Sequence, residues 1–194
     1  MTKTIFRGRI TTLRPITQED AELTLSWRLS PRAKQMQVGA QTVAQQRAWI
    51  SSKLLTDEIN CIIEYKNRPV GMIALLDINR LHKRCEMGRL LIGEEELVGK
   101  APVAFEAELM LSDYAFDSLG MHKLYGDVVE DNHAMLKMRR YLGYKQDGFL
   151  RDQLNYHGVY KGVHSLSLLE TEYRSVGRPK LLQLIELLNK YSND

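Results

Sequence analysis

Three β-rich apolar runs, Cys61–Tyr65, Val70–Leu76 and Cys85–Ile92, follow one another with only short polar stretches between them. From Val103 onward the pattern changes, and segments of helical and strand period alternate. Consecutive strands followed by strand–helix–strand–helix specify a mixed sheet with helices on both faces. The later segments are well punctuated. Ala104, Ala107, Leu111 and Ala115 recur at helical spacing in Val103–Leu119, and Gly120 stops the helix. Lys123–Val129 is a strand, Asn132 caps a helix running to Leu142, and Gly143 ends it. Phe149–Tyr156 and Tyr160–Leu169 form a hairpin joined at His157-Gly158.

Upstream, Ile10–Pro15 reads as an opening strand that proline terminates. Thr17, with Asp20 three residues on, caps a helix carrying Leu23, Leu25 and Trp27, which Ser30-Pro31 interrupts. Thr42 caps a second helix reaching Leu55. Near the end, Leu181, Leu182, Ile185 and Leu188 line one side of an amphipathic helix over Pro179–Tyr191. That stripe requires cover, from the same chain or from a second subunit in a homodimer. The expected organisation is one domain over residues 1–173 with a helical tail over 174–194.

Composition excludes several classes. At 194 residues, 44% hydrophobic and 26% charged, the chain is long enough for one α/β core and too apolar for disorder. No run is long enough to span a bilayer, and the first ten residues lack a signal-type apolar stretch, so cytoplasm is the expected compartment. A net charge of +3 does not call for nucleic acid, though it allows a local basic patch for a phosphorylated ligand. Cys61 and Cys85 have no metal spacing and sit in apolar runs, as buried reduced thiols do. No metal site is expected.

The chemistry concentrates between Glu86 and Arg151. A strand ending Leu90-Leu91-Ile92 leads through Gly99-Lys100 into a helix, and backbone N–H groups at such a helix start bind anions. Many α/β domains share that feature. The ordered set is more specific: Asp113-Tyr114-Ala115-Phe116 with Leu119-Gly120, then Lys123-Leu124-Tyr125, Glu130-Asp131-Asn132, Leu142-Gly143-Tyr144, and Gly148-Phe149-Leu150-Arg151. Together with Leu13-Arg14-Pro15-Ile16-Thr17 and Asp20 at one end, and Ser167-Leu168-Leu169 with Glu172-Tyr173 at the other, it resembles the GNAT acetyltransferases. The similar branch contains the RimJ/RimL-type protein acetyltransferases and the amino-sugar acetyltransferases of surface-glycan synthesis. The likeness covers about Thr11 to Tyr173.

That resemblance implies a mostly antiparallel mixed sheet with two splayed strands and acetyl-CoA as co-substrate. The pantetheine arm would lie along Leu90, Leu91 and Ile92. The pyrophosphate would meet Val98, Gly99, Lys100, Ala101 and Val103. Asn132, with Met138 and Arg139 on the helix after it, would flank the cofactor. Glu86 matches the branch's glutamate and is the expected base, although a strand carboxylate there also suits a salt bridge. His82 is a second candidate in the preceding loop. Many members carry a tyrosine seven residues after the asparagine, as acid for the leaving thiolate. Here that position is Arg139, a poor proton donor but able to stabilise a thiolate or contact phosphate. Tyr141, the nearest phenol, is about 200° further around the helix. The loop departs too, with Ala101 and Pro102 where later glycines are usual.

Trp27-Arg28-Leu29-Ser30-Pro31-Arg32 resembles the acceptor-side element of the amino-sugar branch. Trp27, Arg28 and Arg32 are therefore expected to bind substrate, since arginines clamp a diphosphate well. The expected acceptor is the primary amine of a nucleotide-linked amino sugar. A protein N-terminus or lysine is the alternative, and a CoA-binding protein without catalysis is a further one. Polyamines fit less well, because the acceptor segment shows no acidic cluster.

Overall fold

The computed structural model describes residues 5–34, 36, 39–156 and 158–192, the last two by backbone alone. A short β1 (Phe6–Arg7) precedes β2 (Thr11–Pro15), then α1 (Ala21–Leu29) and α2 (Val43–Lys53). Three consecutive strands follow: β3 (Ile59–Tyr65), β4 (Arg68–Asn79) and β5 (Arg84–Ile92). Then come a one-turn α3 (Glu95–Val98), α4 (Val103–Asp113), β6 (Lys123–Val129) and α5 (His133–Tyr141). The hairpin β7 (Lys145–Tyr156) and β8 (Val159–Leu169) leads through a short α6 (Glu170–Glu172) into α7 (Arg178–Ser192). The strand order is β1-β2-β3-β4-β5-β6-β8-β7. Among the described residues only the β5–β6 pair is parallel. The expected mixed, mostly antiparallel sheet is therefore the one observed.

Helices cover both faces. On one, Trp27, Ile50, Ile62, Met72 and Leu91 pack beneath α1 and α2. On the other, Cys85, Met87, Val103, Leu111, Leu124, Leu136 and Leu181 join α4, α5 and α7 to the sheet. Each such fully buried aliphatic side chain contributes roughly 1.5–3 kcal/mol.

The anticipated caps are present. Thr42 Oγ1 accepts from the N–H of Gln45 at 3.2 Å, and Asn132 Oδ1 from that of Met135 at 3.2 Å. The Leu13–Asp20 motif has a physical basis. Arg14 on β2 grips both Asp20 oxygens (2.8 and 2.7 Å) and Glu64 of β3 (2.9 Å), while Asp20 accepts from the Thr17 N–H (2.8 Å). One arginine thus ties the entry of α1 to the sheet.

Two details differ from expectation. Glu95–Val98, expected as loop, makes one helical turn ended by Gly99 at φ +55°. A short β1 precedes β2, and the turn between them is held by Glu106 of α4, which accepts the backbone N–H groups of Arg9, Ile10 and Thr11. A pattern of two residues is too short to register as a strand in sequence. In the β7–β8 turn, Gly158 has φ +92° as its hairpin role requires, and His157 lies outside the described residues. The terminal helix packs on its own chain. Leu181 and Ile185 are buried, Arg178 pairs with Asp113 of α4 at 2.9 Å, and Lys180 donates to the Tyr141 carbonyl at 2.8 Å.

Candidate active site

Strands β5 and β6 are paired only over Arg84↔Lys123, Cys85↔Leu124 and Glu86↔Tyr125. Both continue beyond that point, β5 to Ile92 and β6 to Val129, so their facing backbones run on without a ladder. Gly126 keeps the parting point tight, because a Cβ there would sit 3.0 Å from the Met87 carbonyl oxygen. On its other edge β5 carries a β-bulge. Met72 opposes Leu91 and Ala74 opposes Gly88, so Arg89 and Leu90 together face one residue of β4, with Arg89 at φ +57°. The bulge inverts the alternation of β5. Cys85 and Met87 face the α4–α5 side, and beyond the bulge Leu91 faces α1 and α2.

A cleft of about 750 Å³ opens at this parting. The sheet contributes Leu76 and Asp77 from β4, Glu86 to Leu90 from β5, and Gly126 to Val129 from β6. Helix α5 with its cap adds Asn132, Met135 and Arg139. The α1–α2 side adds Arg28, Gly39 and Trp49, and the β7–β8 hairpin adds Leu154 and Val163.

Glu86 lies on the cleft wall at the last paired position. Burial pushes its carboxyl above the usual range, and the nearby negative charge of Asp127 adds to this. Asp77 accepts from the Tyr125 hydroxyl and pairs with Arg84 at 2.9 Å. Arg89 is held by Glu58 at 2.6 Å and stacks on Trp49 at 4.9 Å. The Arg28 guanidinium is lowered from its ordinary value by burial and by the charge of Arg89. The cleft wall therefore carries both charges, the carboxylates of Glu58, Asp77, Glu86 and Asp127 and the guanidinium groups of Arg28 and Arg89.

Of the residues singled out from sequence, Glu86, Leu90, Asn132, Arg139 and Arg28 come together in the cleft. Arg139 is buried, ion-paired with Glu108 of α4, with its guanidinium 4.7 Å from the Tyr144 ring. Leu91 and Ile92 follow along β5 with their side chains in the two cores. Met138, on α5, packs against the core and does not line the cleft. The segment Val98–Val103 lies beyond the cleft at the start of α4, with Gly99 and Lys100 exposed, Ala101 half-buried, and Val98 and Val103 buried.

Four candidates sit elsewhere. Trp27 is a core residue whose indole N–H donates to Glu94 at 2.8 Å. It presses so closely on Gly93 that a Cβ there would meet the ring at 2.1 Å. Arg32 is exposed and pairs with Glu95 at 2.6 Å. His82 is exposed in the β4–β5 turn, its backbone N–H bonded to Asn79. Tyr141 faces α7, with the Lys180 ammonium 4.6 Å from its ring centre. Helical geometry explains this last case, since Arg139 and Tyr141 point to opposite sides of α5.

Sequence reading also missed residues. Glu58, Asp77 and Asp127 come from three different strands or strand entries and meet Glu86 only through the sheet register. The acidic cluster that the Trp27–Arg32 segment lacks is thus present in the cleft on other elements. Both cysteines are buried, and burial pushes each thiol up to about 12, so neither is a nucleophile at neutral pH. Among the described residues no group of His, Cys, Asp or Glu is arranged to hold a metal ion, and no helix is long and apolar enough to cross a membrane.

A mixed sheet that parts between two parallel strands, over an asparagine-capped helix, defines the class of GNAT-fold proteins. The chain belongs to that family: the family model described as Acetyltransferase (GNAT) domain matches residues 11–145. The spermidine N(1)-acetyltransferase of Escherichia coli K12 is 28% identical over 112 residues, covering 58% of this chain and 59% of that protein. The match thus spans less than two thirds of that relative. The uncharacterized N-acetyltransferase p20 of Bacillus licheniformis is 28% identical over 179 residues, covering 88% of this chain and 98% of that one. Among solved structures, a GCN5-related N-acetyltransferase from Brucella melitensis superposes with a TM-score of 0.78 at 20% identity, covering 95% of this chain and 86% of its own. A Vibrio cholerae spermidine/spermine N-acetyltransferase does so at 0.71 and 20% identity, over 86% and 98%.

Proposed function

We propose that this protein is an acetyl-CoA-dependent N-acetyltransferase, in which a primary amine attacks the thioester directly within a ternary complex. The observation that carries the reading is the parting of β5 and β6 after Glu86↔Tyr125. An extended chain bearing amide groups, such as pantetheine, can hydrogen-bond there as an added strand does. Leu90, Leu91 and Ile92 supply one wall. The pyrophosphate is assigned to Val98–Val103, where the N–H groups at the start of α4 and the Lys100 ammonium favour anions. Asn132 holds the first turn of α5 against the cofactor.

Alternation puts Glu86 and Asp127 on the α1–α2 face, because Cys85, Met87, Leu124 and Val128 all join the opposite core. The acceptor therefore enters from that face. Glu86 takes the ammonium proton, directly or through a water, and its raised affinity for protons suits that task. Asp127 stabilises the arriving positive charge. Acyl transfer needs no covalent enzyme intermediate, consistent with the two inert thiols.

The acceptor we favour is a small molecule carrying both a primary amine and an anionic group, as a nucleotide-linked amino sugar does. It matches a cleft whose wall carries the carboxylates of Glu86 and Asp127 together with Arg28. A polyamine is the second reading, supported by Glu58, Asp77, Glu86 and Asp127 in one cleft and by the similarity to spermidine acetyltransferases. Thiol release from acetyl-CoA, measured with spermidine, with a nucleotide-linked amino sugar and with an N-terminal peptide, separates these acceptors. Preference for the sugar that weakens in Arg28→Gln supports the first. Preference for spermidine that survives Arg28→Gln supports the second.

A further inference from the structure

Of the carboxylates on the cleft wall, two are already engaged. Glu58 accepts from Lys53 (2.9 Å), Arg89 (2.6 Å) and Asn60 (3.2 Å). Asp77 accepts from Arg84 (2.9 Å) and from the Tyr125 hydroxyl. Glu86 and Asp127 have no hydrogen-bond or ion-pair partner among the described residues. A carboxylate taken partly out of water without a partner costs solvation free energy, which a ligand's positive charge offsets.

The sheet sets these two groups side by side. Leu76, Glu86 and Tyr125 form one cross-strand row on the face of α1 and α2. Two residues further along β5 and β6, on the same face, stand Gly88 and Asp127. Gly88 lies within a strand and has no positive φ, so its backbone does not demand glycine. Its surroundings do. A Cβ there would lie 3.3 Å from Glu86 Oε1 and 3.0 Å from Leu76 Cδ1. The Glu86 carboxyl therefore lies forward along β5, over the Gly88 backbone, toward the parting of the strands. A glycine inside a strand often marks such a close approach.

We infer that Gly88 is a positioning residue for the base: its missing side chain lays the Glu86 carboxylate beside Asp127, so that the two carboxylates together hold the acceptor's ammonium at the parting. This rests on the reading of the cleft as an acetyl-CoA-dependent transferase. The ammonium gives one N–H proton to Glu86, which passes it to water. The nitrogen keeps the electron pair of that bond and uses it on the thioester carbon. Asp127, exposed on the cleft wall, supplies the counter-charge that holds the nitrogen while Glu86 takes the proton. Other charges reach Glu86 from each neighbouring element. Arg89 on β5 favours its ionised form, whereas Asp77 on β4 and Glu58 ahead of β3 act with Asp127 against it. Arg28 enters the same cleft from α1. Arg89, Asp77 and Glu58 are held in their own ion pairs, which leaves Asp127 as the partner open to Glu86.

The first measurement needs neither CoA nor acceptor. Glutamate isotopically labelled at the side-chain carboxyl carbon reports its titration by NMR, and the Glu86 resonance is the one missing from Glu86→Gln. In the wild type Glu86 is expected to titrate above the ordinary carboxylate range. Asp127→Asn is expected to lower that pKa by about one unit, the scale of a like charge a few ångströms away near a protein surface. Gly88→Ala is expected to lower it similarly, by lifting the carboxyl off the strand, and to remove most of the effect of a further Asp127→Asn change. Should the single variant fail to fold, Gly88→Ala/Leu76→Ala removes the closer neighbour of the new Cβ and is read in its place. The second measurement is turnover. Gly88→Ala is expected to lower kcat about tenfold or more, part of what a general base contributes, with the KM for acetyl-CoA unchanged. A Glu86 pKa unmoved by either change, or moved equally by Asp127→Asn with and without Gly88→Ala, overturns the inference. If the wild type then still releases thiol, the inference fails alone. A wild type that releases no thiol with any primary amine overturns the transferase reading, and the ammonium role with it.

Discussion

Glu86 faces Tyr125 at the last position where β5 and β6 are paired. Beyond it the strands part, and on the proposed reading the carboxylate sits where the thioester carbon is reached. Glu86→Gln preserves shape and removes the base. Turnover is expected to fall by about 10²–10⁴ with CoA affinity little changed. Because burial and Asp127 raise the Glu86 pKa, wild-type kcat/KM is expected to climb with pH through a value above the ordinary carboxylate range. The variant should lack that limb and recover partly at high pH, as the amine deprotonates in solution. Turnover of Glu86→Gln within a few-fold of wild type at neutral pH would make this carboxylate structural.

Lys100 is exposed beside Gly99, whose φ of +55° turns the chain into the start of α4. Lys100→Ala is expected to weaken CoA binding by roughly 1 kcal/mol or more through loss of a charge-assisted contact. Calorimetric titration with CoA and with pantetheine checks this. The loss should appear for CoA and vanish for pantetheine, which has no pyrophosphate.

Asp20 links acid stability to the entry of α1. Burial raises its pKa, but hydrogen bonds from Arg14 and Thr17 outweigh that and hold the carboxyl below its ordinary value. A depressed pKa gives stability that is present above the unfolded-state value and lost as pH falls through the folded one. Asp20→Asn is expected to cost about 1.5–3 kcal/mol at neutral pH and to flatten the acid side of the stability profile. Urea midpoints between neutral and acidic pH measure both; an unchanged acid slope would remove Asp20 from the account.

Leu181 on α7 is 2% exposed against the core shared with α4. Leu181→Ala is expected to destabilise the fold by roughly 2–5 kcal/mol. Leu182, 42% exposed, should tolerate the same change within about 0.5 kcal/mol. Equal effects at the two positions would mean that the outer face of α7 is also covered, by a second subunit.

The fold was legible because its signals are local. β-rich apolar runs marked β3 to β5, and Thr42, Asn132 and Gly143 punctuated the helices where the sequence put them. Glu86, Asn132 and Arg139 were legible as cleft residues through the resemblance to the family, whose motifs set their places on one strand and one helix. Asp127 and Glu58 were not, since only the pairing of β3, β4, β5 and β6 places them opposite Glu86. Glu108 was equally hidden. It is one of several charged residues on α4 in sequence, and becomes distinctive only when α5 lays Arg139 against it. Trp27 and Arg32 show the converse. A motif suited to an acceptor site carried a core tryptophan and a surface ion pair, while Arg28 between them is the residue that reaches the cleft.

The most direct test of the central claim is CoA thiol release from acetyl-CoA as a function of acceptor, with the acetylated product identified by mass. Release is expected to require a primary amine, with acetyl transfer to that nitrogen and loss of the signal in Glu86→Gln. CoA binding without amine-dependent thiol release, across sugar, polyamine and peptide acceptors, would contradict it and leave a CoA-binding protein that does not catalyse transfer.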